Sequence, residues 1–149
     1  MSRDFRAGAY LALPFLLAFA LSVVMLLTDS NLRTNFGTIT SGYYSHWYVV
    51  LVTAIVDLIV VGTLVAFRSR TAFKGGVVVS GLMVVLLLAD ILAYSQVGFS
   101  SATDFANYLF GITYYGGNVR YLYDALLGVY IATLVGGLVT LVATRRAPA

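Results

Sequence analysis

The 149 residues include no cysteine and no glutamate, and only one histidine, one lysine and one tryptophan. Without cysteine, disulfide frameworks, thiolate metal sites, thiol catalysis and dithiol relays are all excluded. The lone His46 has no second histidine or cysteine to share a metal, so neither a zinc nor a haem site is expected, and no cofactor is implied. The lone Lys74 lies at the edge of an apolar run, which argues against a retinal-type attachment inside a membrane. Charge as a whole is scarce. Acidic and basic residues make up 10% of the chain against 60% hydrophobic, whereas a soluble domain carries about 25% charged and 45–50% apolar residues. So few charges cannot coat a water-facing surface. An ordinary cytosolic enzyme, a disordered regulator and a nucleic-acid binder are therefore excluded together.

What the chain has instead is four long apolar runs, at 8–28, 47–67, 75–97 and 121–144. Each reaches the roughly 20 residues that a helix needs to cross the hydrocarbon. None resembles the short alternating strands of a membrane β-barrel. The expected fold is an all-α integral membrane bundle of four transmembrane helices in a single domain, 1–149, embedded in the lipid bilayer of the cell membrane. Arg3, Arg6 and the Ala18-Phe19-Ala20 triplet imitate a signal peptide. The apolar run continues to Leu27, however, and reads as an uncleaved first helix.

The cations set the expected orientation. Arg3, Arg6, Arg68, Arg70, Lys74, Arg145 and Arg146 flank one side, while Arg33 and Arg120 fall in the two remaining loops. Both termini and the link 68–74 are thus expected in the cytoplasm, and loops 29–46 and 98–120 outside. Nine of the eleven tyrosines, including Tyr94, Tyr121 and Tyr123, are expected at or beyond the outer interface, with Trp47 among them. Ser101 to Asp104 read as a helix start, and Phe105, Tyr108, Leu109 and Ile112 as one side of a short interfacial helix. Together these predict an aromatic outer cap. His46, Trp47, Arg120, Tyr121 and Asp124 are its candidate binding residues, with Arg120 and Asp124 spaced to pair at i, i+4.

Two acids fall within the spans, Asp57 and Asp90. Ionised carboxylates there cost a few kcal/mol, so each should face the interior, carry a proton or find a partner. Helical spacing puts His46, Val50, Thr53 and Asp57 on one stripe and Ser80, Met83, Leu87, Asp90 and Tyr94 on another. Asp57, Asp90, Thr53 and Tyr94 form a candidate proton or ion path; the alternative is polar glue between helices. Gly128, Ala132, Gly136 and Thr140 make a small-residue stripe on the fourth span, suited to packing inside the bundle or between subunits. Shorter versions occur at Ala18/Ser22 and Gly76/Ser80. An offset of 74 residues aligns Phe36-Gly37 with Phe110-Gly111, Gly62 with Gly136 and Leu64 with Leu138, which suggests an internal duplication.

No catalytic constellation can be assigned. The leading functional expectation is a non-catalytic accessory or scaffold subunit that associates with copies of itself or with a larger membrane complex. A conducting protein built on Asp57 and Asp90 comes second, and a membrane enzyme or quinone-handling subunit with an outer-face site third. The orientation is directly testable because the chain is free of cysteine. Membrane-impermeant maleimide added to intact cells should label Ser41→Cys but not Ser69→Cys. Labelling at 69 without permeabilisation would reverse the topology.

Overall fold

Lipid offers no hydrogen-bond partners, so a spanning backbone must satisfy itself, and an α-helix does so within one segment. The computed structural model describes residues 7–28, 44–94 and 119–145, with side chains for 7–28, 48–90 and 122–145. These residues form four helices: α1 (Ala7–Thr28), α2 (Tyr44–Ala66), α3 (Arg70–Tyr94) and α4 (Val119–Arg145). All four are long and apolar enough to cross a membrane. No strand occurs among the described residues. The segment expected to carry the interfacial helix and most of the aromatic cap lies outside them.

The helix ends follow from local chemistry. Only Phe67, Arg68 and Ser69 separate α2 from α3. The Ser69 hydroxyl accepts a hydrogen bond from the Ala72 amide at 3.1 Å, and its carbonyl accepts from the Phe73 amide at 3.1 Å. Ser69 is thus an N-cap, and α3 begins at Arg70. The helix therefore starts five residues ahead of the apolar run that begins at Gly75, and most of the basic link is its first turn. Arg70 reaches across to the end of α4, donating to the Leu141 carbonyl at 3.1 Å and the Thr144 carbonyl at 3.5 Å. The Thr144 carbonyl is one that a helix C-terminus leaves without an intrahelical donor, and a cation at this end also suits the helix dipole.

The interior mixes a polar set with an apolar core, and the outside is apolar. Ser22, Thr53, Asp57 and Ser80 are fully buried, while Leu13, Ile59, Val85 and Val139 are more than 60% exposed. So many exposed large apolar side chains suit a lipid environment, where leucine gains nothing from hiding. Threonines on the outer faces return their hydroxyls to their own helices: Thr28 to the Val24 carbonyl, Thr63 to Ile59 and Thr140 to Gly136, at 2.6–2.8 Å.

The helices form a ring in which α1 contacts α2 and α4, and α3 contacts α4 and α2, with a smaller contact between α1 and α3 across it. Small residues set the close approaches. Ala18 and Ser22 are fully buried, and a Cβ at Gly76 would lie 2.8 Å from Leu11 Cδ2. The two shorter small-residue pairs therefore do pack inside. The long stripe does not follow the intra-bundle expectation. Gly128, Ala132 and Gly136 are exposed, and a Cβ at Gly128 or Gly136 would meet nothing within 4 Å. It is Gly137, one residue on, that meets another helix, where any Cβ would strike the side chain of buried Val77. Valine is stiff at χ1 in a helix, so that contact tolerates little adjustment. The 74-residue duplication also fails to extend to packing: Leu64 is 1% exposed and its counterpart Leu138 is 49% exposed.

Candidate functional site

The candidate site is the polar interior, and it is built in two tiers on α4. Tyr123 and Tyr130 are seven residues apart, two helical turns, so they share one face about 10 Å apart along the axis. Both are buried, at 2% and 1% exposure. Tyr130 donates to Asp57 Oδ1 of α2 at 2.6 Å. Tyr123 donates to Asp90 Oδ2 of α3 at 2.9 Å and also lies 3.2 Å from the Leu87 carbonyl. Each acid thus meets a phenol from the same helix. A phenol in a dry interior is stable when its O–H is engaged, and a carboxyl oxygen is a strong acceptor for it.

The lower tier extends to α1. The Thr53 hydroxyl donates to the Val50 carbonyl at 2.7 Å, and Ser22 Oγ lies 3.1 Å from Thr53 Oγ1. Thr53 has one proton and has spent it, so Ser22 is the donor of that contact. The ring of Phe15 covers Tyr130, with centroids 6.2 Å apart and planes tilted by 59°. Ser22, Thr53 and Tyr130 therefore all have their protons committed. Asp57 Oδ2 remains buried without a hydrogen-bond partner among the described residues. The arrangement supplies an acceptor in a water-excluded interior, held by three helices.

The predicted stripes hold in part. Val50, Thr53 and Asp57 are buried together, as are Ser80, Met83, Leu87 and Asp90. Tyr123 corrects the sequence reading: it is not part of the outer aromatic cap but the buried partner of Asp90. Helical spacing relates residues of one helix only, so it does not find this donor, which comes from a facing helix. Tyr94, His46, Trp47, Arg120 and Tyr121 lie on described helices, but their side chains are outside the described set. Asp124 is half-buried. Tyr130 was missed altogether. The signal was a single tyrosine deep in an apolar run, since a phenol there implies a buried acceptor. Among the described residues no three His, Asp or Glu side chains come together as a metal site would require.

Two grooves mark the outer surface. One, of about 550 Å³, runs between α1 and α4 and is lined by Tyr10, Pro14 and Leu17 opposite Ala132, Gly136 and Thr140. Pro14 lies inside α1 and has no N–H, so the Tyr10 carbonyl loses its intrahelical donor. The other, of about 520 Å³, runs between α2 and α3 at the end that carries Arg68 to Lys74. Fold and interior together define a four-helix membrane-protein bundle with a buried acid–phenol ladder. The chain matches no known family, no curated protein and no solved structure.

The ladder predicts a specific pattern of stabilities. Tyr130→Phe leaves Asp57 buried without its donor and should cost about 1–3 kcal/mol. The double variant Tyr130→Phe with Asp57→Leu should recover most of that loss, because both polar groups go together. Denaturation in mixed micelles measures both. Additive losses would show that the two side chains do not interact.

Proposed function

We propose that the chain is a small, non-catalytic subunit of the cell membrane, with both termini in the cytoplasm, that associates through its α1–α4 face with copies of itself or with a larger membrane complex. The observation that carries this reading is the outward stripe. Gly128, Ala132 and Gly136 are exposed, and Ala132, Gly136 and Thr140 line a groove of about 550 Å³ with Pro14 opposite. Helices associate in lipid where small residues let backbones approach closely. The excess of cations at the termini and at 68–74 supports the orientation.

Purification in a mild detergent, followed by mass spectrometry of the intact particle, tests this. The parent should run as an oligomer or carry a partner. Gly128→Leu and Gly136→Leu should each release a folded monomer, because neither side chain meets the bundle. A parent that is already a clean monomer would sink the proposal.

One observation favours a second reading, proton or ion conduction. Asp57 is fully buried, and its Oδ2 has no hydrogen-bond partner among the described residues. Intramembrane acids mark proton and ion pathways more often than their cost as structural groups would warrant. On this reading Asp57 and Asp90 relay through Tyr130 and Tyr123. In proteoliposomes with an imposed pH gradient, Asp57→Asn should abolish proton flux; flux equal to the parent's would end this reading.

A further inference from the structure

The layers on either side of Asp57 are apolar, and the helix registers show how they line up. Ser22 of α1 meets Thr53 of α2 at 3.1 Å, and the two helices run in opposite directions. Met25 therefore stands level with Val50, and Leu11 with Leu64. Gly76 of α3 agrees with the second pairing, since a Cβ there would lie 2.8 Å from Leu11 Cδ2 and 3.6 Å from Leu64 Cδ1. Val77, the next residue of α3, closes on Gly137 of α4. One layer thus draws on all four helices, with Leu11, Leu64 and Val77 meeting against two glycines. Leu64 is 1% exposed and Val77 3%.

A second layer lies on the other side of the acid. On α4, Leu126 falls between Tyr123 and Tyr130 and is fully buried. Leu87 of α3, whose carbonyl lies 3.2 Å from the Tyr123 hydroxyl, stands at the same level. Met25 and Val50 complete the layer, and all four side chains are at most 1% exposed. Val50 and Leu64 are each seven residues from Asp57, so each layer lies about 10 Å from the acid along α2. Between the layers stand Ser22, Thr53, Asp57, Ser80 and Tyr130, all buried. The four hydroxyl protons are committed to neighbouring acceptors. Asp57 Oδ2 is the oxygen left without a hydrogen-bond partner among the described residues.

We propose that this polar interior is an occluded chamber with an apolar gate on each side. Leu11, Leu64 and Val77 form the gate toward the α2–α3 link; Met25, Val50, Leu87 and Leu126 form the gate toward the opposite membrane face. A constriction lined by aliphatic side chains excludes water and stops charge until it widens. Because the gates flank a single acid, Asp57 exchanges its proton with one face at a time, through whichever gate is open. The chamber stands on packing alone. Passage of protons through it rests on the conduction reading given above.

The cysteine-free chain allows a test with single cysteines in proteoliposomes of known orientation. A small cationic methanethiosulfonate, added to one side at a time, transfers its thioalkyl group to a thiolate and releases methanesulfinate. Ser80→Cys, inside the chamber, should react from either side roughly a hundredfold more slowly than Lys74→Cys, which is exposed, because a thiol reacts only where the reagent reaches it. Adding Leu64→Asn should open position 80 from the link side only, and adding Leu126→Asn from the opposite side only. Val77→Thr, which keeps the side-chain shape and adds a hydroxyl, is the milder opening of the first gate. Fast reaction of Ser80→Cys in the otherwise parental chain would overturn the chamber. So would reaction from both sides alike in Leu64→Asn and Val77→Thr. Proton flux then separates the chamber from conduction. Each gate variant alone should stay within about twofold of the parent, while Leu64→Asn with Leu126→Asn should raise flux roughly tenfold, a rise that Asp57→Asn removes. A double variant that leaks no faster, with the cysteine pattern intact, would end the conduction reading and leave the chamber standing.

Discussion

The hydrogen bond from Tyr130 to Asp57 is the contact around which the other interior groups are arranged. It joins α4 to α2 at 2.6 Å, and Phe15 of α1 closes over it. One turn away on α2, Thr53 takes up Ser22 of α1. Three helices thus converge on a fully buried carboxyl group. In water such a bond exchanges with solvent and contributes little. In a lipid-embedded interior the alternative partner is absent, so the geometry of the acid dictates where its neighbours must stand. Apolar contacts cannot impose this, because leucine finds lipid as congenial as another leucine.

From that bond the asymmetry of α4 follows. Its inward face carries Tyr123, Leu126, Tyr130 and Gly137, which meet α2 and α3 or are buried at the core. With a repeat of 3.6 residues, fixing Tyr130 inward turns positions 128 and 132 about half a revolution away. Gly128 and Ala132 are accordingly exposed. The same helix therefore anchors the interior and offers its small residues to the membrane. Arg70 secures its far end by taking the last carbonyls, which links the rotation of α4 to the start of α3.

The two outer grooves express different chemistry despite similar size. Between α1 and α4 the walls set the small residues Ala132 and Gly136 opposite Pro14. Between α2 and α3 the walls are largely apolar, from Ile59 and Phe67 to Gly75 and Val79. The three-residue connection explains why the second groove opens at that end. Ser69 caps α3 immediately, so Phe67 and Arg68 stay outside either helix.

Much of the architecture was legible in the chain itself. Apolar run length forces helices wherever backbone groups cannot reach water, so the number and approximate ends of the four helices follow from composition alone. The burial of Val50, Thr53 and Asp57 on one stripe, and of Ser80, Leu87 and Asp90 on another, follows from helical periodicity once the acids are required to face inward. Partner choice does not follow. Periodicity relates residues on one helix, whereas Tyr123, a donor to Asp90, stands on a facing helix. The small-residue stripe was likewise visible, but which way it points depends on the rotation of α4. That rotation is set by two phenol–carboxyl bonds to other helices. The sequence alone determined what could not stay in lipid; only the tertiary structure decided which helix would satisfy it, because that choice is made across the bundle and not along the chain.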